Sequence, residues 1–143
     1  MEEIQPMADV NDFNTNVIEE FRANAGVVGG PFEGTPVLLL TTTGAKSGLE
    51  RVNPVVYRVE GDALYIFATK GGAPTNPDWF HNLGAHPEVT VELGGDTFRA
   101  VAEVLVGAER DRIYADHAAA FPAFADYEAG TDRVIPVVRL VRA

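Results

Sequence analysis

A chain of 143 residues with 46% apolar and 22% charged content has the size and composition of one soluble globular domain. It contains no cysteine, which excludes disulfides, iron–sulfur clusters and thiol catalysis. A formal net charge of −10 repels nucleic acid, so a polyanion-binding surface is not expected. No apolar run approaches the ~18 residues of a spanning helix, and the acidic first residues do not read as a secretory leader. The expectation is a cytoplasmic protein, with peripheral membrane contact left open.

The chain opens with an amphipathic helix expected over residues 12–24, where Phe13, Val17 and Phe21 recur at helical spacing. Asp12 reads as its N-cap, and Gly26 follows its end. Residues 26–36, GVVGGPFEGTP, read as a connecting loop. This divides the chain into an N-terminal helical arm and linker over 1–34 and a β domain over 35–143. The polar face of the helix carries Glu19 and Glu20, which disfavours anionic lipid.

From Pro36 the pattern changes to short β-branched and aromatic runs. PVLLLTT suits a strand buried on both faces, and VNPVVYRV, ALYIFAT, EVTVEL, TFRAVAEVLV and VIPVVRLV follow. Gly61-Asp62 and Gly94-Gly95-Asp96 mark hairpin turns. Pro54 inside the second run predicts an edge, bulge or bend. Three helical pieces interrupt the strands. One starts at Asn76 as N-cap with Pro77 in the first position, one spans 108–120 with Ile113 and His117 on one face, and one starts at Pro122. Six strands joined largely by hairpins predict a mainly β (α+β) fold, an antiparallel barrel with peripheral helices.

The cations are placed unevenly. Both lysines of the chain fall in glycine-flanked turns, Lys46 in TTTGAKSG and Lys70 in TKGG. Between Gly34 and Thr75, Lys46, Arg51, Arg58 and Lys70 outnumber Glu50, Glu60 and Asp62 in an otherwise acidic chain. Backbone amides at glycine turns, a lysine point charge and the planar fork of Arg51 together suit a phosphate or carboxylate. Ordinary hairpins explain the glycines equally well, but not why both lysines fall there. The spacing fails a P-loop, the glycines at 29–34 fail the dinucleotide pattern, and His81, His86 and His117 lack the spacing of a metal site. Ser47, the single serine, has no nucleophile elbow around it.

Three ordered motifs carry a family resemblance: TTTGAKSG-x-x-R-x-x-P from Thr41, ATKGGAPTNPDWFHNLGAHP from Ala68, and FPAFADYEAGTDRVIPVVRL from Phe121. Over Phe13 to Leu140 the chain closely resembles the deazaflavin-dependent nitroreductases. These are split β-barrel proteins related to FMN-binding oxidoreductases, found mainly in actinobacteria, that bind coenzyme F420. The resemblance implies that Ala45, Lys46, Ser47 and Arg51 hold the coenzyme's phosphate and polyglutamate tail. It implies that Val52, Asn53, Pro54, Val55 and Val56 flank the coenzyme through backbone groups, and that Phe67, Ala68, Thr69 and Lys70 form a second wall. Asp78, Trp79, Phe80, His81 and Asn82 are expected from the short helix beside it, Trp79 being equally readable as a core aromatic.

On the substrate side the resemblance points to Phe121, Phe124, Tyr127 and Val56, where the best-known relatives carry tyrosines. Phenyl rings stack but offer no hydroxyl, so quinone-like or other conjugated acceptors suit this side better than nitroimidazoles. Tyr127 is the candidate donor there, and Thr69 keeps a hydroxyl. The implied activity is hydride transfer from reduced F420 to an electron-poor acceptor such as a quinone, enone or nitro compound. A ligand-binding barrel without turnover, or one that takes FMN, is the alternative. A small-molecule acceptor is the expected partner, in a monomer or a homodimer.

Overall fold

The computed structural model describes residues 6–24, 26 and 36–143, with side chains from residue 15 onward and residue 71 excepted. The expected loop over 27–35 and the side chains of Asp12 and Phe13 lie outside the described residues. Four helices and six strands follow in chain order. These are α1 (Pro6–Ala23), β1 (Val37–Thr43), β2 (Glu50–Glu60), β3 (Ala63–Phe67), α2 (Asp78–Ala85), β4 (Glu88–Leu93), β5 (Asp96–Leu105), α3 (Gly107–Ala120), α4 (Ala123–Ala129) and β6 (Val137–Arg142). A short 3-10 turn over Lys70–Gly72 lies between β3 and α2.

The strands close into an antiparallel barrel in the order β1-β2-β3-β6-β5-β4. Glu60 pairs with Ala63 and Leu93 with Asp96, so Gly61-Asp62 and Gly94-Gly95 are the two-residue hairpin loops expected. β1 is buried on both faces, as its unbroken apolar run requires. Leu38 and Leu40 enter the barrel with Ile66, Val91 and Leu140, while Val37 and Leu39 meet Val17 and Phe21 of α1. Each such side chain contributes about 1.5–3 kcal/mol through burial. β3 and β6 divide the same way. Leu64, Ile66, Val138 and Leu140 fill the barrel, and Tyr65, Phe67 and Val137 pack outward against α3 and α4.

Two helix starts differ from expectation. α1 begins at Pro6, so Asp12 lies inside the helix rather than capping it. α2 begins at Asp78, with Pro77 as the extended residue before it and no side-chain cap. Asn76 cannot cap because its side-chain oxygen accepts a 2.7 Å hydrogen bond from Arg133 Nη1.

Pro54 marks an edge. β2 pairs with β1 through residues 50–56 but reaches β3 only from Tyr57 onward. Tyr57 N–H donates to Pro36 O at 3.1 Å, and antiparallel alternation then makes Leu39–Pro54 a non-hydrogen-bonded pair. The nitrogen of Pro54 therefore faces the side of β2 that carries no strand, where its missing donor breaks no ladder. The amides of Val52 and Val56 face that same side.

Candidate functional site

The β1–β2 turn forms one end of an open cleft of about 990 Å³, lined by Gly44, Ala45, Lys46, Ser47, Arg51, Val52, Asn53, Asp78, His81 and Asn82, with Thr15 and Ile18 of α1. The turn is tied internally. Gly44 N–H donates to Leu49 O at 2.8 Å, Gly48 N–H to Gly44 O at 3.0 Å, and Leu49 N–H to Ser47 Oγ at 3.2 Å. Gly48 takes φ +72°, which favours glycine, and a Cβ on Gly44 would press on Ser47 Oγ at 2.5 Å and Leu49 O at 3.2 Å, disturbing the turn's internal bonds.

A second helix fixes this turn from outside. Asn82 of α2 is buried; its Oδ1 accepts from Ala45 N–H at 3.0 Å, and its Nδ2 donates to Thr42 Oγ1 at 3.2 Å. One amide thus joins α2, β1 and the turn, and holds Lys46 in register with Arg51.

The charge of this region is unspent. Among the described residues, Arg22, Arg58, Arg110 and Arg112 each pair with a carboxylate. The side chains of Lys46 and Arg51 pair with no carboxylate and make no hydrogen bond among the described residues. In a chain of net charge −10, two cations without a carboxylate partner on one cleft leave positive charge that suits an anion, and an arginine fork suits phosphate or carboxylate. The unstranded edge of β2 adds the backbone amide of Val52, which lines the same cleft. An anionic coenzyme with a flat ring fits this donor set.

The turn after β3 is built differently. Lys70 adopts φ +49°, the single positive value among described non-glycine residues, and its Nζ donates to Thr75 Oγ1 at 3.0 Å. Arg133 clamps the segment. Its Nε donates to Ala73 O at 2.8 Å, Nη1 to Asn76 Oδ1 at 2.7 Å, and Nη2 to Thr69 O at 2.8 Å and Ala68 O at 3.2 Å. Gly72 lies against Tyr127, whose Cα would be 3.2 Å from an added Cβ, so this turn abuts α4 directly.

Ala45, Lys46, Ser47, Arg51, Val52, Asn53, Asp78, His81 and Asn82 all line the cleft. The remaining expected residues lie elsewhere. Val55, Ala68 and Trp79 belong to the barrel interior, with Phe80 packed against it, so the core reading of Trp79 holds. Phe67 and Phe124 are buried in the outer cluster under α3 and α4, with Val56, Phe121 and Tyr127 at its margin. Val55 and Val56 thus point to opposite faces. Pro54 and Thr69 are half-buried, and Lys70 is exposed.

Arg133, Thr15 and Ile18 were not expected at the site. Arg133 sits inside the third motif, but nothing in its local pattern shows that it reaches across the chain to Ala68. Thr15 and Ile18 lie one turn apart on a helix whose apolar spacing shows that it packs, not on what.

The outer cluster holds one buried polar group of note. His117 is 1% exposed, and neither ring nitrogen has a hydrogen-bond partner. It stacks on Phe67 and Phe121 with centroids 4.4 and 4.7 Å away, and meets Phe124 edge-on at 4.5 Å. Burial, aided by Arg58, pushes its pKa down to about 4, so the ring is neutral at physiological pH.

A closed six-stranded antiparallel barrel with peripheral helices and an open strand edge beside the cleft is the split-barrel architecture. The family model of F420H2-dependent quinone reductases matches residues 14–142, and the chain belongs to that family. It is thus an F420H2-dependent oxidoreductase with F420 as its cofactor. It is 37% identical over 128 residues to an F420H2-dependent quinone reductase of Mycobacterium tuberculosis H37Rv, covering 85% of each chain. Among solved structures it is similar to an F420-H2 dependent reductase, FDR-A, at 39% identity and TM-score 0.67, covering 73% of this chain and 93% of that one. It is also similar to a protein described as a domain-swapped dimer, at 35% identity and TM-score 0.68, covering 95% and 99%.

Proposed function

We propose that the chain reduces a quinone-class acceptor, binding the anionic tail of F420 at Lys46 and Arg51 and its ring along the Val52–Val56 edge. The observation that carries this reading is the pair of cations left without carboxylates beside a turn pinned by Asn82. Bound F420 in its reduced form supplies the hydride. The chain supplies orientation, charge and shelter from water. Ala45, Ser47 and Asn53 complete the cradle, Asp78 and His81 border it, and Thr69 and Lys70 approach from the second turn. The acceptor enters beside Phe121, Phe124 and Tyr127, where apolar rings stack on a conjugated system and the Tyr127 hydroxyl is the candidate donor.

A titration of F420 fluorescence tests the cradle. Each charge-assisted contact is worth about 1.5–3 kcal/mol, so Lys46→Ala combined with Arg51→Ala weakens F420 binding about 100-fold or more. Unchanged affinity sinks the assignment. Oxidation of F420H2 across a quinone panel, followed optically, tests turnover. Binding with no acceptor-dependent oxidation marks a carrier instead.

We also infer a homodimer. A relative 35% identical, covering 95% of this chain, is described as a domain-swapped dimer, and α1 (Pro6–Ala23), which packs on β1 through Val17 and Phe21, is the segment such an exchange would use. Light scattering after gel filtration reports the mass. Among the described residues no helix is long and apolar enough to cross a membrane.

A further inference from the structure

His117 is the buried polar group for which packing gives no reason. Its ring lies in a box of Phe67, Phe121 and Phe124, where a phenylalanine of nearly the same shape would stack as well without two unsatisfied nitrogens. A neutral imidazole carries one N–H donor and one acceptor. Leaving both unmade in the interior is destabilising, and such violations concentrate at functional sites.

The position of the box shows where the donor can act. Phe67 and Phe124 are buried, whereas Phe121 is only half-buried, so it forms the outer wall over His117. Phe121 ends α3 immediately before Pro122, a place where a ring can turn without disturbing a helix. Val56 and Tyr127 pack on the same cluster, and Tyr127 meets Phe124 with ring centroids 5.5 Å apart. The imidazole therefore lies directly behind the face assigned above to the acceptor.

We propose that His117 is a hydrogen-bonding residue for the acceptor: Phe121 stacks on the imidazole face, so once it turns aside the imidazole tilts into the vacated space and its in-plane ring N–H donates to a carbonyl oxygen of the bound quinone. This rests on the proposed location of the acceptor beside α4. When the quinone takes up hydride, two electrons and one proton arrive together and negative charge builds on that oxygen. The imidazole N–H stabilises that charge and keeps its own proton, and water supplies the second proton of the hydroquinone. Phe67 and Phe121 stacked on the imidazole hold it in the closed position and keep water away from it between turnovers.

Two substitutions and one spectroscopic measurement test the proposal, with menadione as the probe. His117→Phe removes the unsatisfied nitrogens, so its Tm rises by about 4 °C or more, and F420 binding stays within about twofold. Its kcat/KM for menadione falls about tenfold or more, because the donor is lost. His117→Gln restores a donor and recovers most of that loss. In the wild type, ring 15N signals of His117 shift when menadione is added to the protein saturated with oxidised F420, which cannot turn over. A stable His117→Phe protein with unchanged kcat/KM overturns the proposal, as does a His117 signal that menadione does not move. Normal F420 binding with no menadione turnover by the wild type overturns both this proposal and the acceptor assignment. Normal turnover with no effect of His117→Phe overturns this proposal alone.

Discussion

The two lysine turns of this protein share a composition and differ in what happens to their charge. In the Gly44–Gly48 turn, the backbone is fixed by its own hydrogen bonds and by Asn82, which leaves Lys46 and Arg51 unpaired. In the Lys70–Gly72 turn, the backbone is fixed by an arginine, and the lysine is folded back onto Thr75. One turn is held by a neutral amide and offers its cations outward. The other spends cations to hold itself together. A glycine–lysine signature marks both equally, so the partner that pins each turn separates the proposed binding loop from the proposed wall.

Arg133→Ala produces the largest effect. It removes four hydrogen bonds at once, and the Ala68, Thr69 and Ala73 carbonyls are left without their donor. A loss of about 3 kcal/mol is expected, read as a fall in Tm of about 10 °C. The same variant keeps the Lys46 side of the cleft intact, so residual folded protein binds F420 nearly normally. Loss of F420 affinity in step with stability would erase the distinction between the turns.

Asn82→Ala acts on the other turn and is smaller in stability, about 1–2 kcal/mol by urea unfolding. Its mark is on binding. With the Ala45 amide released, the cradle must be ordered by the ligand, and F420 affinity falls roughly tenfold. The smallest effect separates the lysines themselves. Lys46→Ala weakens F420 binding about tenfold in a way that added salt diminishes in the wild type. Lys70→Ala changes affinity about twofold or less, because its ammonium already has Thr75 as a partner. Equal losses for the two lysines would show that both turns grip the tail.

The barrel was legible because its signals are local. The unbroken apolar run at 36–42 reads as a strand buried on two sides, and β1 has both faces covered. The hairpin glycines stand between paired strands, and Pro54 falls on the side of β2 without a neighbour. The grouping of Ala45, Lys46, Ser47 and Arg51 on one cleft was legible for the same reason, since they come from one turn and the strand after it. What escaped the sequence depends on contacts far apart in the chain. Arg133 reaches back 65 residues to Ala68, and Asn82 spans 37 residues to Ala45. The start of α2 moved for the same cause, because Asn76 answers to Arg133 and not to its own helix. His117 was visible as a residue on an Ala-rich helix face, but no spacing shows that three aromatic rings enclose it.

The bond from the Ala45 amide to Asn82 also couples motions. That amide belongs to a surface turn, where hydrogen exchange is ordinarily fast, yet its acceptor sits on a helix whose Trp79 and Leu83 are embedded in the barrel core. The turn can release its amide only when Asn82 lets go, so Ala45 exchanges at the pace of α2 rather than of neighbouring Lys46 and Ser47. The turn proposed to grip the coenzyme thereby inherits the stiffness of the barrel's interior.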